Sequence, residues 1–299
     1  MAEFKYIVTK EDHDEQRQIK DLLRQNFSFS SRLRAKIKRA DTIYLNGGHM
    51  RPFWVPETGD EIVVELPPEE PSHYEPEDIH IEPVFEDEDL LIINKQPGYT
   101  VHPTKGHPNH TIANGVMKYM QDTGQEFKIR FVNRLDMDTT GLLVLGKNAF
   151  VQDKFVQEMK SDRVKKIYIC IVKGIIEEEE GTIDAPIGKV DEEQVARGVV
   201  EGGRNSITHY RVIERYPKGY TQLMLRLETG RTHQIRVHMA HIGHPVAGDY
   251  LYGGEAPWLI NRQALHASRL IFRHPVTNEK IDLTAPLPAD ILEVIEKIK

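Results

Sequence analysis

Cysteine is nearly absent from this sequence, since Cys170 is the only one among 299 residues. A single thiol excludes disulfides within the chain and zinc sites built from several thiolates. Cys170 lies in the apolar run IYICIV, which is typical of a buried strand. No stretch of about 18 apolar residues occurs, and the first residues lack a basic segment followed by an apolar run. We therefore expect a cytoplasmic protein with no membrane partner.

Charge is distributed unevenly along the chain. The formal net charge of −7 is not that of a uniformly basic nucleic-acid binder. Residues 32–39, RLRAKIKR, nevertheless hold five cations, whereas residues 57–89 are strongly acidic and include PPEEPSHYEPEDIHIEP. On charge alone the basic run is either a solvated helix face or an RNA-binding face. Three of its cations are candidate RNA contacts: Arg32, Lys36 and Arg39.

The residues before the acidic segment have the pattern of a small α/β unit. Apolar periodicity predicts helices over 16–25 and 30–39. TIYLNGG then reads as a strand that ends in a turn signal, and EIVVEL as a returning strand. A helix followed by SSRLRAKIKRADTIYLNGGHM and ETGDEIVVE resembles the S-four domain, a small RNA-binding module named after a ribosomal protein. We divide the chain into an S-four-like domain at 1–70, an acidic, proline-rich linker at 71–85 and a larger domain at 86–299.

The residues after the linker mix helices with consecutive strands. DLLIINKQPG, KKIYICIVKG, SITHYRVIERY and TQLMLRLETG read as strands. TIANGVMKYMQ, NAFVQDKFVQEMK, RTHQIRVHMAHIG and ADILEVIEKIK read as helices. Because regular strand-helix alternation is scarce, we predict an α+β fold with a mixed, largely antiparallel sheet rather than a doubly wound one.

A charged turn between two apolar stretches, FVNRLDMDTTGLLVLGKN at 131–148, can present a side chain in a cleft. Taken without further context, Asp136 and Asp138 are best interpreted as turn-capping aspartates, which is the commonest role of Asp in loops. A metal site would need more oxygen ligands or histidines, and the turn adds only the hydroxyls of Thr139 and Thr140. The residues themselves leave both readings open.

A second polar segment, LETGRTHQIRVHMAHIGHPVAGD at 227–249, is rich in histidine. His233, His238, His241 and His244 do not form the His-Glu-x-x-His zinc pattern. Only the pairs 238/241 and 241/244 share a helical face by spacing. Loop and packing roles therefore explain these histidines better than zinc does, and no metal site is predicted.

Five segments resemble the RluA-type pseudouridine synthases, in the order found in that family. They are NKQPGYTVHP at 94–103, RLDMDTTGLLVLGKN at 134–148, KKIYICIVKG at 165–174, TGRTHQIRVHMAHIGHPVAGD at 229–249 and LHASRLIFRHP at 265–275. Reproducing both the strings and their order by chance is improbable. The resemblance implies the pseudouridine synthase fold for the large domain and the isomerisation of uridine to pseudouridine in RNA.

The resemblance also assigns roles at matched positions. Asp136 matches the catalytic aspartate, Arg236 the cation beside it, and Tyr168 a tyrosine that packs on the target uracil. Arg134 matches an arginine that fills the space of the flipped base, although phosphate binding is an equal alternative. Arg231 is assigned to substrate binding rather than to pairing with Asp136. By itself Tyr168 would be an ordinary strand aromatic.

The implied chemistry needs no water, because uracil leaves the ribose, turns and reattaches through carbon 5. One carboxylate can therefore serve where glycosidases use two. It either attacks the sugar or removes a sugar proton, and both routes stay open. No cofactor is expected, in keeping with the absence of a phosphate-binding loop motif. Asn133 and Thr140 depart from the His and Ser that are common in the family.

Two other classes of function compete with this interpretation: a non-catalytic RNA-binding protein and a metal-dependent hydrolase built on the histidines. The joint presence of Asp136, Tyr168 and Arg236 argues against the first. The S-four-like domain favours a large structured RNA as partner, ribosomal RNA before transfer RNA. The oligomeric state is not readable from the sequence.

Overall fold

The N-terminal part of the chain forms a four-stranded antiparallel sheet with three short helices. The computed structural model describes residues 3–27, 29–104, 106–161, 163–191 and 195–299. Its first elements are β1 (Glu3–Ile7), α1 (Lys10–Asp14), α2 (Ile19–Asn26), α3 (Ser31–Ala40), β2 (Ile43–Leu45), β3 (Gly48–His49) and β4 (Glu61–Glu65). The strand order is β1-β4-β2-β3. Helices α2 and α3 lie where the apolar periodicity predicts them, whereas β1 and α1 have no counterpart in the sequence analysis.

A larger sheet follows. Its strands are β5 (Pro83–Glu86), β6 (Leu90–Lys95), β7 (Thr140–Gly146), β8 (Lys165–Lys173), β9 (Glu180–Asp184), β12 (Ile207–Tyr216), β13 (Tyr220–Leu227), β14 (Leu265–Arg273) and β15 (Lys280–Thr284). Strands β10 (Ile187–Lys189) and β11 (Arg197–Val199) form a separate hairpin. The remaining helices are α4 (Ile112–Thr123), α5 (Ala149–Lys160), α6 (Gln234–His241) and α7 (Ala289–Ile298).

The large sheet is mixed and largely antiparallel, as predicted, and the fold is α+β. Its order is β5-β6-β7-β14-β8-β13-β12-β9, with β15 paired to the end of β14. The pair β7 and β14 is parallel, whereas the other described pairs are antiparallel. Gly141 permits this close approach, because a Cβ there would lie 2.3 Å from the Ala267 carbonyl oxygen. The start of β7 is thereby held against the start of β14.

Both faces of the central strands are buried. Leu91 and Ile93 of β6 belong to the apolar cluster on one face, which also contains Tyr168 and Leu223. The neighbouring residues Leu90 and Ile92 belong to the cluster on the opposite face. This alternation follows from the two-residue period of a strand, and it gives each face of these strands an apolar core.

The N-terminal sheet packs on the second of these cores. Phe4 lies 4.6 Å from Phe150 of α5, and Phe29 lies 5.6 Å from the same ring, measured between ring centroids. Ser30 Oγ also donates a hydrogen bond to the Asp153 carboxylate. The N-terminal unit is therefore docked on the large sheet through a continuous apolar cluster.

The acidic segment interpreted as a linker at 71–85 is packed against α4 and the residues that precede the Asp136 turn. Ile79 and Ile81 are buried. The backbone N–H of Ile129 donates to Ser72 Oγ at 2.9 Å, and the Asn114 side chain donates to the carbonyl of residue 75 at 2.8 Å. The last residues of the segment already belong to β5. The division at 70 and 86 stays a prediction. In the described part of the chain, no helix has the length and apolarity needed to cross a bilayer.

Candidate active site

Asp136 lies in the turn that precedes β7. Its carbonyl accepts the backbone N–H of Thr139 at 3.1 Å. Asn133 fixes the incoming chain, since its side chain accepts from Val144 N at 2.8 Å and donates to the Leu142 carbonyl at 3.3 Å. The turn is thus tied to the strand that follows it. The Asp136 side chain remains 24% exposed, which leaves it open to a substrate.

Lys95, at the end of β6, holds the far side of the same turn. It is buried, and its Nζ donates to the carbonyls of Gln96, Met137 and Thr139 at 2.9, 2.7 and 3.0 Å. Burial lowers the pKa of Lys95 to about 7, against the opposing effect of the charges on Asp138 and Asp136. This side chain is a structural clamp on the residues directly after Asp136.

Arg236, on α6, reaches Asp136 from the other side of the cleft. Its Nη1 lies 3.1 Å from Asp136 Oδ2, while Nε and Nη2 bind both oxygens of Asp249 at 2.7 and 2.9 Å. Burial by itself lowers the pKa of Arg236, but the hydrogen bonds and charge of Asp249, together with Asp136, outweigh it and raise that pKa. A permanent, rigidly oriented cation therefore faces the carboxylate.

Tyr168 lies on β8 between its partners Leu225 and Ala267 on the neighbouring strands. Its ring is buried and lines the same cleft as Asp136 and Arg236. Burial first, and the charge of Asp136 second, raise the pKa of this phenol. The side chain is therefore a neutral aromatic wall at neutral pH, with a geometry suited to packing against a planar base.

Arg134 and Arg231 line the cleft from two different segments, the turn before β7 and the loop before α6. Arg134 is exposed and donates to Thr232 Oγ1, in the loop before α6. Arg231 lines the cleft, and its Nε donates to the carbonyl of Asn205 at 3.1 Å. Both cations therefore line the cleft that contains Asp136.

The cations of α3 belong to a different region. Lys36 and Arg39 line a crevice of about 1180 Å³ that also touches residues 147–149, directly after β7. Asp136 precedes the start of β7, so roughly 20 Å of strand separates the two regions. Lys36 is paired with Glu69 at 2.9 Å, and Arg32 is exposed. The structure does not bring Arg32, Lys36 or Arg39 together with the cleft.

The histidines of the second polar segment have separate partners. His238 is buried between Thr208 Oγ1 and the Ala185 carbonyl, at 2.9 and 3.0 Å. His244 contacts the Lys173 carbonyl at 3.0 Å, and His241 is exposed. In the described ranges, no group of three or more His, Cys, Asp or Glu side chains is arranged to hold a metal ion.

Sequence reasoning missed three residues around Asp136: Lys95, His233 and Asp249. Lys95 stands at the end of an apolar strand, and Asp249 follows the apolar stretch PVAG; a charge in such a place is a signal of pairing. The sequence indicates His233 only as a possible zinc ligand. Its Nε2 lies 3.9 Å from Asp136 Oδ2.

The assembled cleft presents one carboxylate oxygen to a substrate. Arg236 Nη1 and His233 Nε2 both face Oδ2 of Asp136. Within the described residues, Oδ1 has no hydrogen-bond partner. Tyr168, Leu227 and Leu265 add apolar walls. Such a site can bind a planar base beside an oriented carboxylate.

Known proteins resemble this chain in sequence. The sequence profile of the family described as "RNA pseudouridylate synthase" matches residues 89–241. The chain is 42% identical over 254 residues to "Ribosomal large subunit pseudouridine synthase D" of Haemophilus ducreyi, covering 81% of this chain and 78% of that protein. It is 39% identical over 260 residues to "Uncharacterized RNA pseudouridine synthase YlyB" of Bacillus subtilis, covering 86% of each.

A solved structure has the same fold. Human "RNA Pseudouridylate Synthase Domain Containing 1" superposes with a TM-score of 0.58 at 27% identity, covering 69% of this chain and 83% of that one. The matched family region spans the turn of Asp136, the strand of Tyr168 and the helix of Arg236.

Proposed function

Because the chain belongs to the RNA pseudouridylate synthase family and is an isomerase that acts on RNA, we propose that Asp136 carries out its chemistry on uridines of ribosomal RNA. The observation that carries the proposal is the contact of 3.1 Å between Asp136 Oδ2 and Arg236 Nη1, which fixes one oxygen and leaves the other open. Tyr168 and Arg236 are the other two catalytic residues of this proposal.

The reaction suits a site with one carboxylate. Uracil departs from the ribose, rotates and reattaches through carbon 5, and a proton leaves carbon 5 at the end. The leaving group is retained, so the site has no water to activate, and the reaction requires that water be kept out once the base is bound. Asp136 either bonds to the sugar or removes a sugar proton, and both routes use the free Oδ1. Tyr168 packs on the base while it turns.

Arg134 and Arg231 serve substrate binding. A uridine within a helix must leave its stack at a cost of a few kcal/mol before it can reach Asp136. Arg134 stands exposed at the cleft mouth, where its guanidinium can occupy the vacated space or bind a phosphate. Its bond to Thr232 holds this guanidinium beside the loop before α6.

Two observations support ribosomal RNA over transfer RNA. Several relatives are named for the large ribosomal subunit, including those of Haemophilus ducreyi and Escherichia coli, at 42% and 37% identity. The second is the N-terminal unit, whose resemblance to the S-four domain supports a role in binding a large structured RNA. A cytoplasmic location belongs to the same proposal.

The test is an in vitro reaction with purified RNAs lacking modifications. Wild-type protein and Asp136→Asn are incubated with large-subunit rRNA, small-subunit rRNA and tRNA, and pseudouridines are mapped at single-base resolution. We expect a few defined uridines of large-subunit rRNA to react with the wild type and none with the variant. Reaction confined to tRNA would contradict the proposed target, and equal reaction by the variant would contradict the role of Asp136.

A further inference from the structure

His233 is the third group that faces the Asp136 carboxylate. It occupies the N-cap of α6 in the left-handed region, with φ of 57°, and its side chain is 11% exposed. The residue lines the cleft together with Arg236. At 3.9 Å, the contact between Nε2 and Asp136 Oδ2 is electrostatic, longer than a hydrogen bond.

The other ring nitrogen fixes how this contact is made. Nδ1 lies 2.8 Å from the Tyr252 hydroxyl, which also accepts the backbone N–H of Arg197 at 2.9 Å. The Tyr252 proton is then available for Nδ1, so a neutral ring carries its own proton on Nε2. That tautomer directs an N–H dipole toward the Asp136 carboxylate, whereas the alternative would direct a lone pair at it.

The surroundings keep the ring neutral. Burial lowers the pKa of His233 below its ordinary value of 6.5, and the guanidinium charges of Arg236 and Arg197 lower it further. The carboxylates of Asp136 and Asp249 oppose this shift without reversing it. At neutral pH the residue is thus a dipole rather than a second cation.

We propose that His233 is a positioning residue of the isomerisation, which together with Arg236 holds Oδ2 of Asp136 and so aims Oδ1 at the ribose. The inference rests on the proposed role of Asp136. It also predicts the effect of acid. A protonated ring would place a second positive charge beside the carboxylate, stabilise its ground state and make it less reactive toward the sugar.

The experiment compares single-turnover rates at saturating RNA between pH about 5.5 and 8 for the wild type, His233→Gln and His233→Gly. Glutamine keeps an N–H donor of similar reach but does not titrate. Glycine adopts a positive φ without strain, so its effect reports loss of the ring. His241→Gln is the control, because His241 is exposed at the other end of the same helix. Thermal unfolding identifies any variant that fails to fold.

We expect the wild-type rate to fall as the pH drops through the lowered pKa of His233, and this fall to be absent in His233→Gln, which keeps most of the rate at pH 8. His233→Gly should lose on the order of tenfold to a hundredfold at pH 8. Identical pH profiles for the wild type and the glutamine variant would overturn the inference, as would a glycine variant with wild-type rate. Turnover by Asp136→Asn would instead remove the proposed function itself.

Discussion

Asp249 is the residue that makes Arg236 a fixed part of the cleft. Its side chain is fully buried and binds Arg236 through both carboxylate oxygens. Without the charge of Asp249, the buried Arg236 guanidinium would keep only its contact of 3.1 Å with the partly exposed Asp136, and most of its charge compensation would be lost. The orientation of Arg236 toward Asp136 therefore depends on a residue that touches no substrate.

We expect Asp249→Asn to lower the free energy of unfolding by about 3 kcal/mol and the single-turnover rate by on the order of tenfold. The amide removes the charge and turns one acceptor into a donor facing the guanidinium. Urea unfolding and single-turnover assays measure the two effects.

The matched control is Asp282→Asn. Asp282 also binds an arginine, Arg269, through both oxygens at 2.7 and 2.8 Å, but on the surface. This variant should change neither stability nor rate appreciably. Equal losses in the two variants would show that burial of the Arg236 pair is unimportant.

Some residues of the cleft could be predicted from the sequence and others could not, for physical reasons. Asp136 and Arg236 are 100 positions apart, and only the family resemblance, not their spacing, linked them. Lys95 was not predicted as a residue of the site because a lysine at a strand end is ordinarily solvent-exposed. Here three carbonyls surround its ammonium group, and that arrangement appears only once the Asp136 turn folds against β6.

At the scale of elements, the start of α1 is stabilised by one buried carboxylate. Asp12 accepts hydrogen bonds from Tyr6 and from both the hydroxyl and backbone N–H of Thr9, and it pairs with Arg17 at 2.7 Å. Burial by itself raises the pKa of Asp12, but these bonds outweigh it and lower the pKa from 3.8 to about 2. The ionised form is therefore favoured by folding.

The lowered pKa of Asp12 determines how the stability of the fold changes with pH. A carboxyl group whose pKa is lower in the folded state stabilises the fold fully above 3.8, and this stabilisation is lost as the pH falls toward about 2. We expect Asp12→Asn to cost about 1–2 kcal/mol at pH 6, and the difference from wild type to shrink over that acid range. Chemical unfolding at several pH values measures it.

Asp14→Asn, on the exposed side of the same helix, is the control and should leave the pH dependence unchanged. A difference between wild type and Asp12→Asn that stays constant from pH 6 to about 2 would contradict this account of α1.

Element prediction succeeded where periodicity was strong. Helices α2 and α3 and the apolar strands of the large sheet follow their patterns, because each buries one stripe or alternate residues. Strand β1 was missed. Phe4 and Tyr6 do alternate with Glu3 and Lys5, but this apolar repeat has only two members, and the strand is the half-buried edge of the small sheet. Its register with β4 depends on long-range pairing instead.

At the scale of the whole molecule, the basic helix α3 belongs to the docked N-terminal unit and lies away from the cleft. The apolar cluster that includes Phe4, Phe29 and Phe150 joins the two parts. Removing the first 75 residues would expose this core, so charge substitutions test the unit better than a truncation does. An RNA that contacts both α3 and Asp136 must span at least the length of β7, on the order of 20 Å.

The exposed cations of α3 should contribute to RNA binding through phosphates. Arg32, Lys38 and Arg39 point to solvent, and among the described residues none of them has an ion-pair partner. We expect the triple glutamine variant at these positions to weaken RNA binding and to reduce the log-log salt slope by about 2. Binding constants at several salt concentrations measure the slope.

A triple glutamine variant at Arg273, Lys280 and Lys297 is the control, since these exposed cations of the large domain change the net charge equally. It should leave the slope nearly unchanged. If both triple variants reduced the salt slope equally, the α3 cations would act only through the overall electrostatic potential of the protein and would not form an RNA-binding face.

The most direct measurement of the central claim is the single-turnover rate of Asp136→Asn on a ribosomal RNA substrate, with Asp138→Asn as the neighbouring control. We expect no detectable pseudouridine from Asp136→Asn, with folding and RNA affinity nearly intact, because the change is isosteric and removes only the charge. Asp138→Asn should keep most of the wild-type rate. Substantial turnover by the Asp136 variant, or equal inactivation by the Asp138 variant, would contradict the assignment of Asp136.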